Sequence, residues 1–328
     1  MGISETRKQI LQILADGQFH SGTKLANSLG VSRSGIWKQL RALSEIGLEC
    51  VAVSGKGYRL VHPIELLDKQ KIDSALTAEA KSYISELILF NQIDSTNSFL
   101  MSAHDYDSGT VCLAEHQTGG KGRRGRDWIS PFGSNIYMSI LWRFTNGPSA
   151  ISALSLAMGV AVVRALSRIN IQDVGLKWPN DIFWQGKKLG GILVEVSGES
   201  DGPCKAVVGL GLNLFLPETA AVNITQEWVD LKQIMPGSLI SRNYLTSLLI
   251  NELFQVLATY ETASINTYLN EWRSYDCLKG KPATLYIGER QYQGVVEGVD
   301  DQGLLLLKDA AGSIKAYASG EVSFSGNS

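Results

Sequence analysis

The sequence of 328 residues contains few cysteines and histidines, and none of them forms a metal-binding motif. Its four cysteines lie far apart, so no pair has the spacing of a zinc ribbon or a redox motif. The four histidines form no HExxH sequence, which argues against a zinc enzyme. Sparse cysteine use is typical of a reducing compartment, and we expect a cytoplasmic protein. The first residues also lack the apolar core of a signal peptide.

The chain also lacks a strong charge imbalance and a long apolar run. Its 30 basic and 32 acidic residues give a net charge of −2, which excludes a protein that is polybasic as a whole. The longest uncharged stretch, residues 144–163, contains Pro148 and three serines. We expect it to be too polar to span a membrane and its second half to form a buried helix. No membrane partner is therefore predicted.

What the chain does contain is three segments of different character, in keeping with its length. Residues 1–62 carry eight basic and four acidic residues, a local charge of +4. Pro63 disfavours a helix at His62, so a boundary fits there. We predict a winged helix-turn-helix domain over residues 1–65, a catalytic domain over 66–275 and a small β-barrel over 276–328.

The N-terminal segment has the pattern of a helix-turn-helix. Helices are predicted over residues 6–15 and 21–28, and Ser32 is a good N-cap for a third helix. Apolar residues recur along that third helix at i, i+4 and i+7, which predicts the face that it packs on the core. These residues are Ile36, Leu40 and Leu43.

A second, basic stripe on the third helix suits the DNA major groove. Arg33, Trp37 and Arg41 recur at helical spacing, and GKGYR at residues 55–59 forms a basic wing. For Trp37 two positions stay open, contact with a thymine methyl or packing at the core edge, and we favour the second. A winged helix that binds only protein is the alternative. One module of charge +4 neutralises few phosphates, so specific binding should need a dimer. The predicted DNA contacts are Ser32, Arg33, Ser34, Lys38, Arg41 and Lys56.

The central segment alternates apolar strands with helices, which predicts a mixed α/β (α+β) layer fold. After it, residues 277–325 change to short apolar runs separated by turn signals, which predicts a small SH3-like β-barrel. Central strands are predicted over residues 110–115, 135–142, 192–196 and 206–211, and central helices over 149–167 and 243–260. Barrel strands are predicted over residues 283–287, 294–299, 304–307 and 313–317.

Residues 117–128, with the sequence QTGGKGRRGRDW, combine glycines with positive charge. Gly120, Gly122 and Gly125 match GxGxxG, but we reject a dinucleotide-binding loop because arginines fill the pattern and no helix follows. A P-loop is excluded, since no Gly-Lys pair precedes Ser or Thr. Glycines let the backbone approach a ligand and arginine forks hold phosphate or carboxylate, so we predict a loop that closes over an anion. A solvated loop and an RNA tether are the alternatives.

Five short motifs occur in order between the two flanking domains. They are IDSTN at 93–97, the glycine–arginine loop, KWPND at 177–181, KKLGGILVE at 187–195 and GLGLN at 209–213. Over essentially the whole chain, the pieces resemble the bacterial family of bifunctional biotin–protein ligases and biotin-operon repressors. The resemblance implies that ATP, with Mg²⁺, activates biotin to biotinyl-5′-AMP. A lysine of the biotin carboxyl carrier protein of acetyl-CoA carboxylase then takes the biotin. It further implies no tightly bound prosthetic group, and repression of the biotin operon by a homodimer loaded with biotinyl-AMP.

The resemblance also assigns roles to individual residues. Lys188 is implied as the catalytic cation between the substrate carboxylate and the phosphate, and Arg123 as the arginine that holds the adenylate. Lys121 stands where the family commonly has arginine, so it keeps the charge but not the fork. Asp181 is implied near Mg²⁺. The implied biotin contacts are Ser95, Thr96, Asn97, Gln117, Lys121, Gly122, Arg123 and Lys188. The implied nucleotide contacts are Arg124, Arg126, Trp128, Asn180, Asp181, Asn213 and Trp228.

Structural roles and rival functions stay open at this point. Ser95 also suits a helix N-cap, residues 180–181 suit a turn, and Lys188 suits a solvated hairpin. The main alternatives are a ligase whose winged helix no longer regulates transcription and a non-enzymatic transcription factor that senses a small acid. The flanking domains argue against a lipoyl or octanoyl transferase. The overall acidity argues against an RNA-binding protein.

Overall fold

The computed structural model describes residues 4–199, 202–222 and 224–324, and it contains three regions packed against one another. The predicted domain boundaries after residues 65 and 275 remain predictions. Their outer ends, at residues 1–3 and 325–328, lie outside the described residues.

The N-terminal region, which we call the reader, is a three-helix unit with a two-stranded wing, as predicted. Its elements are α1 (Glu5–Leu14), α2 (Gly22–Ser28), α3 (Arg33–Arg41), β1 (Cys50–Val53) and β2 (Gly57–Leu60). Ser32 caps α3 by accepting a hydrogen bond from the Gly35 N–H at 3.1 Å. Ile36 and Leu40 are buried in the core that the helices share. β1 and β2 pair antiparallel and leave Lys56 exposed in the turn between them.

The structure contradicts the position that we favoured for Trp37. This residue is 52% exposed and does not pack at the core edge. Successive residues of a helix are rotated by about 100°, so the burial of Ile36 and Leu40 turns Trp37 towards solvent. The guanidinium of Arg41, one turn later, lies 5.4 Å from the centre of the Trp37 ring. The predicted DNA contacts Ser32, Arg33, Ser34, Lys38, Arg41 and Lys56 are all exposed as well.

A seven-stranded sheet forms the centre of the middle region. Its strands are β3 (Glu86–Phe90), β4 (Thr110–Ala114), β5 (Ile136–Phe144), β6 (Val174–Lys177), β7 (Asp181–Trp184), β8 (Lys187–Gly198) and β9 (Cys204–Leu212). They lie in the order β3-β4-β5-β9-β8-β7-β6, in which β3 and β4 are parallel and the other neighbours antiparallel. All four predicted central strands are present, and the one predicted over 192–196 is the middle of the longer β8.

Helices cover both faces of this sheet. They are α4 (Lys69–Ser74), α5 (Ala78–Tyr83), α6 (Thr96–Ser102), α7 (Leu154–Ser167), α8 (Glu218–Ala221), α9 (Leu231–Ile234), α10 (Arg242–Thr259) and α11 (Ile265–Tyr275). Val111 and Leu113 of β4 lie in the large core that contains α7 and α10. Cys112 instead lies in a small core with Leu100 of α6. Neighbours along a strand point to opposite faces, so α6 lies on the other face from α7 and α10.

The segment Pro148–Ser167 is apolar enough, with a mean hydropathy of 1.8, to pass for a membrane span by length and composition. The expectation that this part of the chain is too polar for a span is therefore wrong on composition alone. In this fold, however, 72% of the apolar window is buried inside the protein. The predicted buried helix is confirmed as α7, most of whose residues are buried. Its burial also explains its composition, because a helix that is buried on all sides is apolar all round.

The C-terminal region is a five-stranded antiparallel sheet. Its strands are β10 (Pro282–Ile287), β11 (Arg290–Val299), β12 (Leu305–Lys308), β13 (Ile314–Tyr317) and β14 (Glu321–Phe324), in the order β13-β12-β11-β10-β14. The four predicted strands are present, and β14 was not predicted. The indole N–H of Trp178 donates to the carbonyl of Gly303 at 3.0 Å, which joins this region to the central one.

A buried ion pair fixes the segment that follows the reader. Arg242, the first residue of α10, pairs with Glu115 at 2.8 Å, and their side chains are 5% and 3% exposed. The same guanidinium donates to the backbone carbonyls of Glu65 and Asn135. The Glu65 carboxylate accepts from the backbone N–H of Arg242 and from the side-chain amide of Asn243. We call this arrangement the Glu65 clamp.

Candidate active site

A cleft of about 880 Å³ lies between the central sheet and the C-terminal region. The glycine–arginine loop, the first turn of α6 and parts of β7, β8 and β9 contribute to its lining, so distant motifs meet at one place. Every residue predicted to bind biotin or nucleotide lies in this lining. These residues are Ser95, Thr96, Asn97, Gln117, Lys121, Gly122, Arg123, Arg124, Arg126, Trp128, Asn180, Asp181, Lys188, Asn213 and Trp228.

Small uncharged polar groups form one part of the cleft, at the start of α6. Ser95 caps the helix, because its hydroxyl accepts a hydrogen bond from the Ser98 N–H. Ser95, Thr96 and Asn97 are each less than 5% exposed. Gly209 of β9 has no side chain where Asn97 approaches, and a Cβ atom there would collide with the Asn97 amide. The sequence of β9 therefore allows α6 to lie this close to the sheet.

A chain of hydrogen bonds, which we call the Ser139 chain, fixes these polar groups from behind. The Asn97 amide donates to the Glu195 carboxylate at 2.9 Å, so its oxygen faces Ser139, whose hydroxyl is 2.6 Å away. The same hydroxyl lies 2.7 Å from the Thr96 hydroxyl. Gln117 Oε1 accepts from the Thr96 N–H at 2.9 Å. Since a backbone N–H can only donate, this bond fixes which way round the Gln117 amide lies.

The Ser139 chain changes the interpretation of Asn97. Both ends of its side-chain amide are bonded within the protein, the nitrogen to Leu193 and Glu195 and the oxygen to Ser139. This geometry favours a supporting role beside Thr96, and the predicted contact of Asn97 with biotin stays a prediction. Sequence reasoning missed Ser139, because one serine in an apolar strand carries no signal of its own.

Lys188 lies in the cleft and not in a solvated hairpin. Its amino group is 2.8 Å from the Asp181 carboxylate, and the two side chains are 21% and 18% exposed. The amino group also lies 5.6 Å from the centre of the Trp128 ring. Because side chains alternate along a strand, Lys187 is exposed while Lys188 points inward. The protein thus holds a cation and its counter-charge in the cleft.

Arg123 is the inner cation of the glycine–arginine loop. Its guanidinium donates to the Asn180 side-chain oxygen at 3.2 Å and to the Gly320 carbonyl at 3.4 Å. Burial lowers the pKa of Arg123 and the neighbouring Arg124 lowers it further, while Asp181 opposes the shift. An arginine keeps its charge at neutral pH because its ordinary pKa lies far above neutrality. The loop therefore places a permanent, partly desolvated charge beside the Lys188–Asp181 pair.

The outer cations of the loop contact the C-terminal region. Arg124 donates to the Tyr286 carbonyl at 3.4 Å, and Arg126 pairs with Glu321 of β14. Lys121, by contrast, is exposed. The loop thus contacts the C-terminal region, and that contact could not be foreseen without the unpredicted β14.

Lys177 is a further cation in the cleft, and sequence reasoning gave it no role. It is 9% exposed, and its amino group lies 5.0 Å from the centre of the Phe183 ring. Burial lowers the pKa of Lys177 and the neighbouring Lys188 lowers it further, while Asp181 raises it. The available signal was the position of Lys177 at the end of a buried strand, directly before the Trp-Pro-Asn-Asp turn.

The segment around Trp228 extends the wall of the cleft. The Lys188 N–H donates to the Glu227 carbonyl and the Val229 N–H donates to the Lys188 carbonyl, each at 3.0 Å. The Asn213 amide donates to the Val229 carbonyl at 3.2 Å. These bonds hold Trp228 beside Lys188. The family resemblance also implies that residues 219–228 form a loop that orders over the adenine, and residue 223 of this stretch lies outside the described residues.

The cleft offers a carboxylate to a Mg²⁺ ion that arrives with a nucleotide. Among the residues that the structure describes, no three His, Cys, Asp or Glu side chains gather as a metal site. Asp181 lines the cleft and offers one carboxylate. Mg²⁺ bound to a nucleotide commonly takes one or two protein carboxylates and completes its shell with phosphate oxygens and water. The residues present therefore fit an ion of that kind.

Comparisons with known proteins agree with this architecture. An HTH domain model matches residues 6–59, the Biotin/lipoate A/B protein ligase family matches 89–213, and the Biotin protein ligase C terminal domain matches 280–325. The bifunctional ligase/repressor BirA of Salmonella typhimurium is 38% identical over 315 residues, which cover 96% of each chain. The chain belongs to the biotin protein ligases of the bifunctional ligase/repressor type.

More distant biotin protein ligases share the fold. The bifunctional ligase/repressor BirA of Bacillus subtilis is 28% identical over 96% of this chain and 98% of its own. The structure of the biotin protein ligase from Aquifex aeolicus in complex with biotin and ATP matches with a TM-score of 0.63 and 29% identity. That match covers 73% of this chain and 98% of the other. In this chain, the Lys188–Asp181 pair lines the same cleft as Thr96, Asn97 and Gln117 of the Ser139 chain.

Proposed function

We propose that this protein activates biotin with ATP to biotinyl-5′-AMP and then transfers the biotin to a lysine of the biotin carboxyl carrier protein of acetyl-CoA carboxylase. The observation that carries the proposal is the division of the cleft into two parts. Its neutral part contains Thr96 and Gln117, held by the Ser139 chain. Its charged part contains Lys188 and Arg123. A molecule with a neutral cyclic urea at one end and a carboxylate at the other matches both parts.

The neutral part is suited to the urea ring. Because Gln117 Oε1 faces Thr96, the Gln117 amide nitrogen lies on the other side, where one of its hydrogens bonds to Ser130 at 3.1 Å. A cyclic urea offers two N–H donors and one carbonyl acceptor, and hydroxyl and amide groups match both kinds. Groups that are already fixed lose little conformational freedom when a ligand binds.

The charged part is suited to the first reaction step. The biotin carboxylate must approach the α-phosphate of ATP, and two anions in contact repel each other. Lys188 and Arg123 place positive charge at that position before the substrates arrive, and such preorganised charge stabilises a transition state. Mg²⁺, with Asp181 as its protein ligand, would further neutralise the phosphates. Arg126 and Trp228 lie at the cleft walls, where they would keep water from the mixed anhydride.

The test is biotin-dependent exchange of labelled pyrophosphate into ATP by the purified protein with Mg²⁺. Exchange that requires biotin supports the first step, and transfer of biotin to purified carrier protein supports the second. A folded protein that shows no exchange with biotin sinks the ligase proposal. Omission of Mg²⁺ should abolish exchange, and exchange that persists in a chelator excludes the ion from the reaction.

We further propose that a homodimer loaded with biotinyl-AMP binds operator DNA and represses the biotin operon. The exposed basic residues of α3 and the wing support this proposal. Trp228 lines the candidate active site and also a second cleft, whose lining includes Leu48 and His62 of the reader. A change at Trp228 when the adenylate binds would therefore reach the DNA-binding region. Sedimentation and gel-shift measurements with and without biotinyl-AMP test it. Unchanged dimerisation and DNA affinity would leave a ligase whose winged helix does not regulate transcription.

The small-acid sensor is disfavoured by the same cleft, because a sensor needs no bridging cation between a carboxylate and a phosphate. The proposed site of action is the cytoplasm, in agreement with thiols that are all free in the structure. No membrane partner is proposed.

A further inference from the structure

Trp37 is the most prominent apolar group on the exposed face of α3. It is 52% exposed, in the middle of a helix whose core-facing side chains Ile36 and Leu40 are buried. A large apolar side chain that stays in water forgoes the stabilisation that its burial would give. Trp37 is not part of the reader core, and about half of it stays open to solvent, so core packing gives no reason for a tryptophan here.

The surroundings of Trp37 indicate what covers it. Arg33 and Arg41 lie one turn before and one turn after it, and Lys38 is adjacent. All three cations are exposed. The Arg41 guanidinium lies over the Trp37 ring at 5.4 Å from its centre, so it is held on this face. An aromatic ring framed by three cations is complementary to a polyanion with an apolar group between its charges.

The DNA major groove offers such a group. Among the base-pair edges exposed there, the C5-methyl of thymine is apolar, and the others present hydrogen-bond donors and acceptors. We propose that Trp37 reads a thymine by contact with its C5-methyl group, with Arg41 held beside the ring for the neighbouring base or phosphate. This proposal rests on the proposed binding of DNA and makes Trp37 a specificity-determining residue of the reader.

The experiment begins with a DNA site chosen by the protein itself. Wild-type protein with biotin, ATP and Mg²⁺ selects duplexes from a random-sequence library, and the selected duplex is the probe. Each thymine of the selected half-site is then replaced by uracil, which removes only the methyl group. We expect one replacement to weaken wild-type binding roughly fourfold per half-site, from the loss of about one buried CH₂ equivalent.

The variant Trp37→Ala completes the comparison. It should bind the thymine and uracil duplexes equally, because the partner of the methyl group is gone. The matched variant Lys38→Ala should bind both duplexes more weakly and retain the fourfold difference, since it lacks only a charge. Pyrophosphate exchange by both variants should equal that of the wild type, which shows that they fold.

Three results would overturn the proposal. In the first, no uracil replacement weakens wild-type binding. In the second, Trp37→Ala retains the difference between thymine and uracil. In the third, Trp37→Ala weakens dimerisation in sedimentation and loses affinity for every duplex alike, which would make Trp37 a contact between protein copies. Failure of the wild type to enrich any sequence is distinguishable from all three, because it removes the proposed repressor function itself.

Discussion

The cleft and the reader use the same two residue types, lysine and arginine, in opposite ways. In the cleft, Lys188 pairs with Asp181 and Arg123 is bonded to Asn180. On the reader, Lys38 and its neighbours are exposed to water. Because their partners hold them, the half-buried cations of the cleft keep one position, and a reaction needs charges that are fixed relative to the substrate. Exposed cations can follow a phosphate backbone, whose attraction depends on charge and salt more than on one geometry.

The largest expected effect is the loss of ligase activity when Lys188 of the cleft is replaced, without any loss of DNA binding by the reader. Lys188→Ala should reduce kcat/KM for biotin-dependent pyrophosphate exchange by about 100- to 1,000-fold, the range for loss of one preorganised charge-stabilising group. Lys187→Ala is the matched control, because the neighbouring lysine is exposed and points away from the cleft. Equal activity of the two variants would contradict the role of Lys188. DNA binding by biotinyl-AMP-free protein should not change in either variant.

A smaller effect tests the neutral part of the cleft. Ser139→Ala removes the hydroxyl between Thr96 and Asn97 and leaves a buried amide oxygen without its partner. Such a loss costs about 1–3 kcal/mol. The free energy of unfolding should fall by about that amount. The KM for biotin should rise roughly 2- to 13-fold, because Thr96 loses one hydrogen bond that holds it in place, while the KM for ATP changes little.

The matched control for this variant is Ser134→Ala. Ser134 is also buried, but its hydroxyl bonds to the Phe132 carbonyl outside the Ser139 chain. If both variants raise the two KM values equally, the effect is general destabilisation, and the assigned role of the chain is wrong.

The reader should respond to salt where the cleft does not. Lys38→Ala should remove one phosphate contact for each DNA-binding module. The slope of log affinity against log salt concentration should then become shallower by about 0.9 per module, and the affinity at 0.1 M salt should fall roughly eightfold. Lys69→Ala removes an equally exposed lysine outside the reader and should leave both values unchanged. The measurement is fluorescence anisotropy of a labelled duplex over a salt series. An unchanged slope for Lys38→Ala would contradict a phosphate contact.

The smallest expected effect concerns the pair that closes the glycine–arginine loop. The side chains of Arg126 and Glu321 are 62% and 36% exposed, so water screens their attraction. Glu321→Gln should lower the free energy of unfolding by only about 0.2–1 kcal/mol. Urea denaturation measures this, with Glu289→Gln in an exposed turn as the control. A loss of several kcal/mol would show that this pair resembles the buried Arg242–Glu115 pair and not a surface contact.

The sequence was most informative where local rules act. Ser32 and Ser95 cap the helices that they were expected to begin, and the apolar period of α3 identified its core face. The order of the five motifs anticipated which distant residues share a cleft. That inference came from resemblance, since no local rule brings Lys188 to the residues at the start of α6.

The sequence was least informative where one side chain depends on several others. Trp37 looked like a core-edge residue because tryptophans are usually well buried. Its exposure follows from the exact rotation of α3 about Ile36 and Leu40. Ser139 and Lys177 carry no pattern, and their partners come from other strands and helices. β14 escaped prediction, although β13, a strand of the same length at the other edge of the sheet, was predicted.

The Glu65 clamp has a consequence for shortening the chain. Glu65 precedes the predicted boundary, yet its carboxylate and carbonyl bond to Arg242 and Asn243 of α10. A truncation that begins at residue 66 would leave a nearly buried arginine short of two acceptors. One that begins at residue 64 would keep them. The two truncated proteins differ by two residues, so the difference between their free energies of unfolding measures how much Glu65 and its neighbour stabilise the catalytic region.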